Sequence, residues 1–259
     1  MKTRRELKNE VKETFKGHWG QAIKVAIIPI IFQIIIIMLG ILAVMILSII
    51  VAEYSDSISN GISSVDTSNK FGHGNVFGNS AGGIIATMIL TGISFTFLDW
   101  LRTKNADFSA LKGAFSVFTK RNFLGILVLY ILTNIFIFLW TLLLIVPGII
   151  KSFAYSQTYF VYKDMSQSKN ADDFNFLDYI TKSRELMVGH KFEFFVLKLS
   201  FIGWDIVAIL TLGLGYIWVT PYKLATYAAY YESLAANSDI ISDNQQNDDD
   251  DKKSVIVEY

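Results

Sequence analysis

The chain has 259 residues, 52% hydrophobic and 14% aromatic, with a mean hydropathy of +0.41, and its 23 Lys and Arg balance 23 Asp and Glu. At 18% charged it falls below the ~25% of ordinary soluble domains, so part of its surface is expected to face lipid. There is no cysteine, and His18, His73 and His190 are the histidines; this excludes disulfides, thiolate metal sites and cysteine nucleophiles together.

Residues 3–18 read as an amphipathic helix. Leu7, Val11 and Phe15 recur every four residues on one face, and Lys2, Arg4, Arg5, Lys8, Lys12 and Lys16 surround them. Residues 25–52 then run for 28 positions without a charge, where ~20 apolar residues suffice for a helix to cross a bilayer core. The basic leader at 1–24 and the length of this run do not fit a cleaved signal peptide, so the first span, about 22–50, is expected to stay in the mature protein. The Ser/Asn/Gly-rich segment 53–80 is expected to be a flexible extracellular loop, and the second span covers about 82–101.

A second unit opens at 106–120, with Phe108, Leu111, Phe115 and Phe118 as the stripe and Lys120-Arg121 closing it. Spans at about 123–146 and 148–163 follow, turning at Pro147-Gly148. The fourth has 11 uncharged residues between Lys151 and Lys163. It crosses only if those lysines snorkel; a re-entrant helix after Pro147 is the competing geometry. The third unit opens at 173–190 with Phe176, Ile180 and Met187 at helical spacing, and its spans cover about 193–213 and 216–236. The fifth span carries Glu193, Lys198 and Asp205. Residues 237–259, with Asp248, Asp249, Asp250 and Asp251 in a row, read as a disordered acidic cytoplasmic tail.

The expected fold is all-α: one polytopic membrane domain, 1–236, of about six transmembrane helices as three hairpins, each preceded by an amphipathic cytoplasmic helix. Lys16-Gly17-His18-Trp19, Lys120-Arg121-Asn122-Phe123 and Val188-Gly189-His190-Lys191 occupy equivalent places before the first, third and fifth spans. Either the three units are repeats, or basic residues simply collect where helices leave the cytoplasm. Lys and Arg number seven in 1–24, five in 102–121 and six in 163–198, while the intervening turns are nearly bare. An even number of spans with both termini cytoplasmic satisfies this distribution.

Asp205 and Lys223 lie eight residues either side of the turn at Gly213 and Gly215, at matched depth on antiparallel helices. They read as an intramembrane polar pair, either a structural ion pair or a proton or ion relay. Pro147, Gly148 and Pro221 are helix-break positions, which free carbonyls in some transporters and elsewhere only kink or end a helix. No zinc spacing, nucleophile elbow or phosphate-binding glycine loop is present. No catalytic, metal or cofactor residue is therefore assigned. The basic helices lack interleaved stacking aromatics, so they point to anionic inner-leaflet lipids and not to nucleic acid.

The chain resembles the bacterial integral membrane proteins of domain-of-unknown-function family 975. The resemblance rests on Phe15-Lys16-Gly17-His18-Trp19, on Ile145-Val146-Pro147-Gly148-Ile149-Ile150-Lys151 with Tyr155, and on Ser183-Arg184-Glu185-Leu186-Met187 with Gly189-His190-Lys191. Phe201-Ile202-Gly203-Trp204, Pro221-Tyr222 and Tyr230-Tyr231 complete it. It implies a multi-span membrane protein, typically of Gram-positive bacteria, with no established activity and so no site residues to carry over. Asp205 and the loop 53–80 lie outside that pattern.

The expected function is therefore non-enzymatic: a cell-membrane scaffold, export accessory, envelope or immunity protein. It would act through the bilayer and through membrane-protein partners or further copies of itself. The rival is a small transporter or channel in which Asp205, Lys223, Asn134 or Gln33 face one polar cavity. A third class, a lipid-handling enzyme, would need convergent carboxylates; Glu185 and Glu193, roughly one helix face, have no obvious partner.

Overall fold

The computed structural model describes residues 1–59, 74–167, 174–236 and 238, with the backbone alone at 29–30, 32–37, 51–59, 74–82 and 120–121. Among the described residues it is entirely helical. The first unit holds α1 (Arg4–Phe15), α2 (Trp19–Ser59) and α3 (Gly74–Thr103). The second holds α4 (Ala110–Ala114), a 3-10 turn (Ser116–Phe118), α5 (Lys120–Leu143), α6 (Ile145–Ala154) and α7 (Thr158–Met165). The third holds α8 (Phe176–Leu186), α9 (Lys191–Leu199), α10 (Ile202–Leu210) and α11 (Tyr216–Ala235). Since α2 reaches Ser59 and α3 starts at Gly74, the first loop is shorter at both ends than the sequence suggests. Residues 60–73, and the acidic tail apart from Ser238, lie outside the described residues.

α1 starts in a capping box: the Glu6 amide donates to Thr3 Oγ1 (3.3 Å) and the Thr3 amide to Glu6 Oε2 (2.7 Å), satisfying two otherwise unpaired donors. Its expected stripe, Leu7, Val11 and Phe15, is buried, and Gly17 at φ +81° turns the chain into α2. α8 is built the same way. The Asn175 amide donates to Asp178 (2.7 Å), Tyr179, Ser183 and Met187 are buried, and Gly189 sits at φ +80°. Thr3, Glu6, Leu7, Val11, Phe15, Gly17 and His18 match Asn175, Asp178, Tyr179, Ser183, Met187, Gly189 and His190 in strict register. Phe176, expected inside, is exposed because it opens the helix, whereas Ile180 and Met187 are buried as expected.

The second unit departs from its expected stripe. Leu111 and Phe118 are exposed, and Ala114 and Val117 take the buried positions. Small residues set this geometry: a Cβ on Gly113 would come within 2.6 Å of Thr96 Oγ1, so α4 lies directly on α3 through its smallest face. A five-residue helix cannot carry a longer stripe, and the chain tightens into the 3-10 turn at Ser116.

The hairpin turn expected at Pro147-Gly148 lies earlier. Leu144 (φ −160°, ψ 139°) makes the break, and Pro147 sits in the first turn of α6, where its missing amide hydrogen costs nothing. Gly148 lets α6 close on α5, since a Cβ there would meet the Thr141 Cα at 2.8 Å. Pro221 does not end its helix either, for α11 runs through it to Ala235. The real interruptions fall at residues 155–157, between α6 and α7, and at Ser200-Phe201, between α9 and α10.

α4 docks on α3, α8 on α7, and α1 on α11, so each amphipathic helix caps the second helix of the unit before it and the last contact closes a ring. Inside the ring α3, α7 and α11 carry much of the core, including Trp100, Phe160, Tyr230 and Tyr231. Outside, α2 is exposed throughout 38–50, and α5, α6, α9 and α10 expose Phe138, Leu142, Val146, Phe192, Ile209 and Leu210 among many. Among the described residues two segments, Gly83–Thr103 and Asn122–Leu143, are long and apolar enough to cross a membrane.

Candidate functional site

The ring brings the C-terminal ends of α3, α7 and α11 together, and each carries an ionisable residue in its last turn: Arg102, Asp164 and Glu232. Arg102 grips Asp164 with two parallel bonds (2.8 Å each) and reaches Glu232 through Nε (2.5 Å). Asp164, with 4% of its side chain exposed, also accepts the Tyr231 hydroxyl at 2.7 Å. Lys163 pairs with Asp99 and donates to the Phe95 carbonyl (3.1 Å). The planar fork of the guanidinium matches the carboxylate, and the bonds to Asp164 offset its desolvation. Apart from Lys163, expected to snorkel and instead buried beside Asp99, none of these residues stood out in the sequence. The available signal was a shared ending, Trp100-Leu101-Arg102, Tyr162-Lys163-Asp164 and Tyr230-Tyr231-Glu232.

A layer of aromatic rings separates this cluster from a cavity of about 210 Å³. Phe160 stacks on Tyr231 with centroids 5.0 Å apart, and Phe95 lies 6.2 Å from Phe160. Thr87, Thr91 and Ser94 of α3 line the cavity on one side, Ser156 and Gln157 of the α6–α7 interruption on another, and Lys198 of α9 with Tyr227 of α11 on a third. The interruption matters because only a broken helix can present consecutive side chains and freed backbone groups to an interior space.

Asp205 and Lys223 form an ion pair, Nζ to Oδ1 3.0 Å and to Oδ2 2.9 Å. It joins α10 to α11 across the tight turn in which Leu212 (φ +54°) and Gly213 (φ +88°) are left-handed. The pair is about a quarter exposed, 27% and 26%, and does not line the cavity. Asn134 does not join it: its amide donates to the Tyr130 carbonyl (2.8 Å) of its own helix. The Gln33 side chain lies outside the described residues. Glu185 and Glu193 fall on separate helices and do not share a face; their neighbours are Lys182 (3.6 Å) and His190 (3.3 Å).

The basic helix α1 reaches into the fold as well. Lys8 donates to the Ser200 carbonyl (3.3 Å) at the α9–α10 interruption and sits 4.3 Å over the Phe201 ring. A cation at a helix C-terminus is favourable there. Partial burial, with Lys12 and Arg4 nearby, pushes the Lys8 pKa down.

Compared with known proteins, the chain matches one family model, described as a protein of unknown function (DUF975), over residues 1–179 and 142–238. No curated protein and no solved structure matches it.

Proposed function

We propose a function on the premise that the chain belongs to the family of proteins of unknown function DUF975. It is an integral membrane protein of six crossings, with both termini cytoplasmic. It acts as a non-enzymatic scaffold that holds membrane-protein partners, or further copies of itself, in export, envelope or immunity work.

One observation carries the membrane part. Of the most apolar stretch of Asn122–Leu143 only 17% is buried, whereas a soluble protein hides its most apolar helix. So large an exposed apolar surface is stable against lipid and not against water. The crossings are then α2, α3, α5, α6–α7, α9–α10 and α11. The basic residues of α1, α4 and α8 lie at the cytoplasmic side, and those not engaged within the fold, as Lys8 is, are each worth ~1 kcal/mol near an anionic leaflet.

Single cysteines in the cysteine-free chain test this. An impermeant thiol reagent on intact cells is expected to label positions 62, 144 and 214, and to reach 170 and 245 only after permeabilisation. Labelling of 170 or 245 in intact cells, or protection of 144 and 214 until cells are opened, would overturn the topology.

The ion pair between Asp205 and Lys223, on α10 and α11, favours a second reading, a small transporter or channel. In that reading Asp205 and Lys223 would carry flux as a relay, and replacing either or both with Leu would abolish it. In the scaffold reading the double replacement is tolerated better than either single one.

A further inference from the structure

The cavity between α3, the α6–α7 interruption, α9 and α11 contains, among the described residues, a cation without an anionic partner and a buried oxygen without a donor. Lys198 projects among the rings of Phe194 (4.8 Å), Phe153 (5.1 Å) and Tyr227 (5.9 Å), and among the described residues no carboxylate is within ion-pair distance of it. Lys223, the nearest comparable cation, has Asp205. The amide of Gln157, a residue only 1% exposed, donates to Ser156 Oγ (3.0 Å) and leaves Oε1 without a partner. The ring faces give the ammonium cation–π contacts but no counter-charge, and the buried carbonyl has no donor, so their presence in one cavity points to a ligand that supplies both.

The rest of the lining narrows its chemistry. Thr87, Thr91 and Ser94 spend their hydroxyl hydrogens on carbonyls of their own helix, each at 2.8 Å, and so offer acceptors to the cavity. With Gln157 Oε1 they supply the cavity with acceptors beside its cation, Lys198. We propose that this cavity binds a small solute bearing one anionic group, a carboxylate or phosphate, held by Lys198, and an ammonium or hydroxyl group that donates to Gln157 and the α3 hydroxyls. A volume of about 210 Å³ admits an amino acid or a hydroxy acid, or the glycerol-phosphate part of a lipid headgroup, but not a nucleotide. The inference goes beyond the scaffold reading and holds whichever way the chain crosses the membrane.

The test is thermal unfolding of the full chain in nanodiscs. Discs of digalactosyldiacylglycerol, a lipid without phosphate, are titrated with glycine, glutamate, glycolate and inorganic phosphate; a second set contains phosphatidylglycerol and no soluble anion. A saturable rise in Tm with a soluble anion, absent from Lys198→Met, identifies a free solute. A rise seen only with phosphatidylglycerol, and again lost in Lys198→Met, identifies a lipid headgroup. Gln157→Glu, which places a carboxylate inside the cavity, is expected to raise Tm without ligand and to blunt the response. It keeps the test decisive if Lys198→Met does not fold. The proposal is overturned if no probe raises Tm, if Lys198→Met responds like the unmodified chain, or if Gln157→Glu lowers Tm and still responds in full.

Discussion

Two of the ion clusters among the described residues differ in how they are assembled. Asp205 and Lys223 belong to one hairpin, are 18 residues apart and keep about a quarter of their side chains exposed, at 27% and 26%. Arg102, Asp164 and Glu232 come from three different units, and Asp164 is 4% exposed. The first pair fastens two adjacent helices. The second cluster forms only when all three units are in place, so it reports closure of the ring.

The largest expected effect follows from that difference. Asp164→Ala removes the acceptor of the Arg102 fork and of the Tyr231 hydroxyl, leaving a guanidinium with Glu232 as its remaining carboxylate. It should cost about 3–5 kcal/mol, as breaking a buried charge network does. Asp205→Ala should cost less, about 1–2 kcal/mol, because it breaks one contact within a hairpin and leaves Lys223 about a quarter exposed, with a long stem that lets the charge reach toward the interface. Equilibrium unfolding in mixed detergent micelles measures both, and equal losses would break the comparison.

Double replacements sharpen it. Asp205→Leu with Lys223→Leu removes both charges at once, and should be less destabilising than either single change. Arg102→Leu with Asp164→Leu should not recover in this way, since Glu232 and the Tyr231 hydroxyl are left without their partners. A full recovery there would mean that the central cluster is only a second local pair.

A smaller effect tests whether the units are equivalent. Gly17 and Gly189 hold the same left-handed turn, φ +81° and +80°, with open space around both. Alanine at either should cost about 1–2 kcal/mol, and the two losses should agree within about 0.5 kcal/mol. Gly203, with no positive φ and nothing within 4 Å of an added Cβ, is the control. There alanine should be neutral or stabilising. Unequal losses at Gly17 and Gly189 would show that register alone does not make the units alike.

The parts legible in the sequence were those governed by local pattern. The uncharged runs marked α2, α3 and α5, and the four-residue spacing of Leu7, Val11 and Phe15 marked α1 with its buried face. The Asp205–Lys223 contact could be foreseen from distance to a turn. Arg102, Asp164 and Glu232 could not, because a single charge at the end of an apolar helix is what any helix emerging from a bilayer carries. Their convergence depends on packing between units far apart in the chain. The stripe on α4 misled for a related reason. Gly113 and Ala114 decide which face docks by allowing close approach, and a pattern search for large apolar residues is blind to that. At Pro147 the residue type was read as a stop, although in the first turn of a helix proline is a start.

The smallest expected effect is confined to the first turn of α1. Glu6 is fully exposed, and its hydrogen bonds from the Thr3 backbone and side chain hold its pKa below the ordinary carboxylate range. A carboxylate with a lowered folded-state pKa contributes stability above its unfolded pKa of ~4.3 and loses it as pH falls through the folded value. Acidification through that window should therefore loosen the α1 cap while the buried stripe keeps the helix docked. Hydrogen exchange at residues 3–7 should quicken there in the unmodified chain. In Glu6→Gln, whose side-chain oxygen still accepts but does not titrate in this range, it should stay constant with pH once the intrinsic exchange rate is divided out.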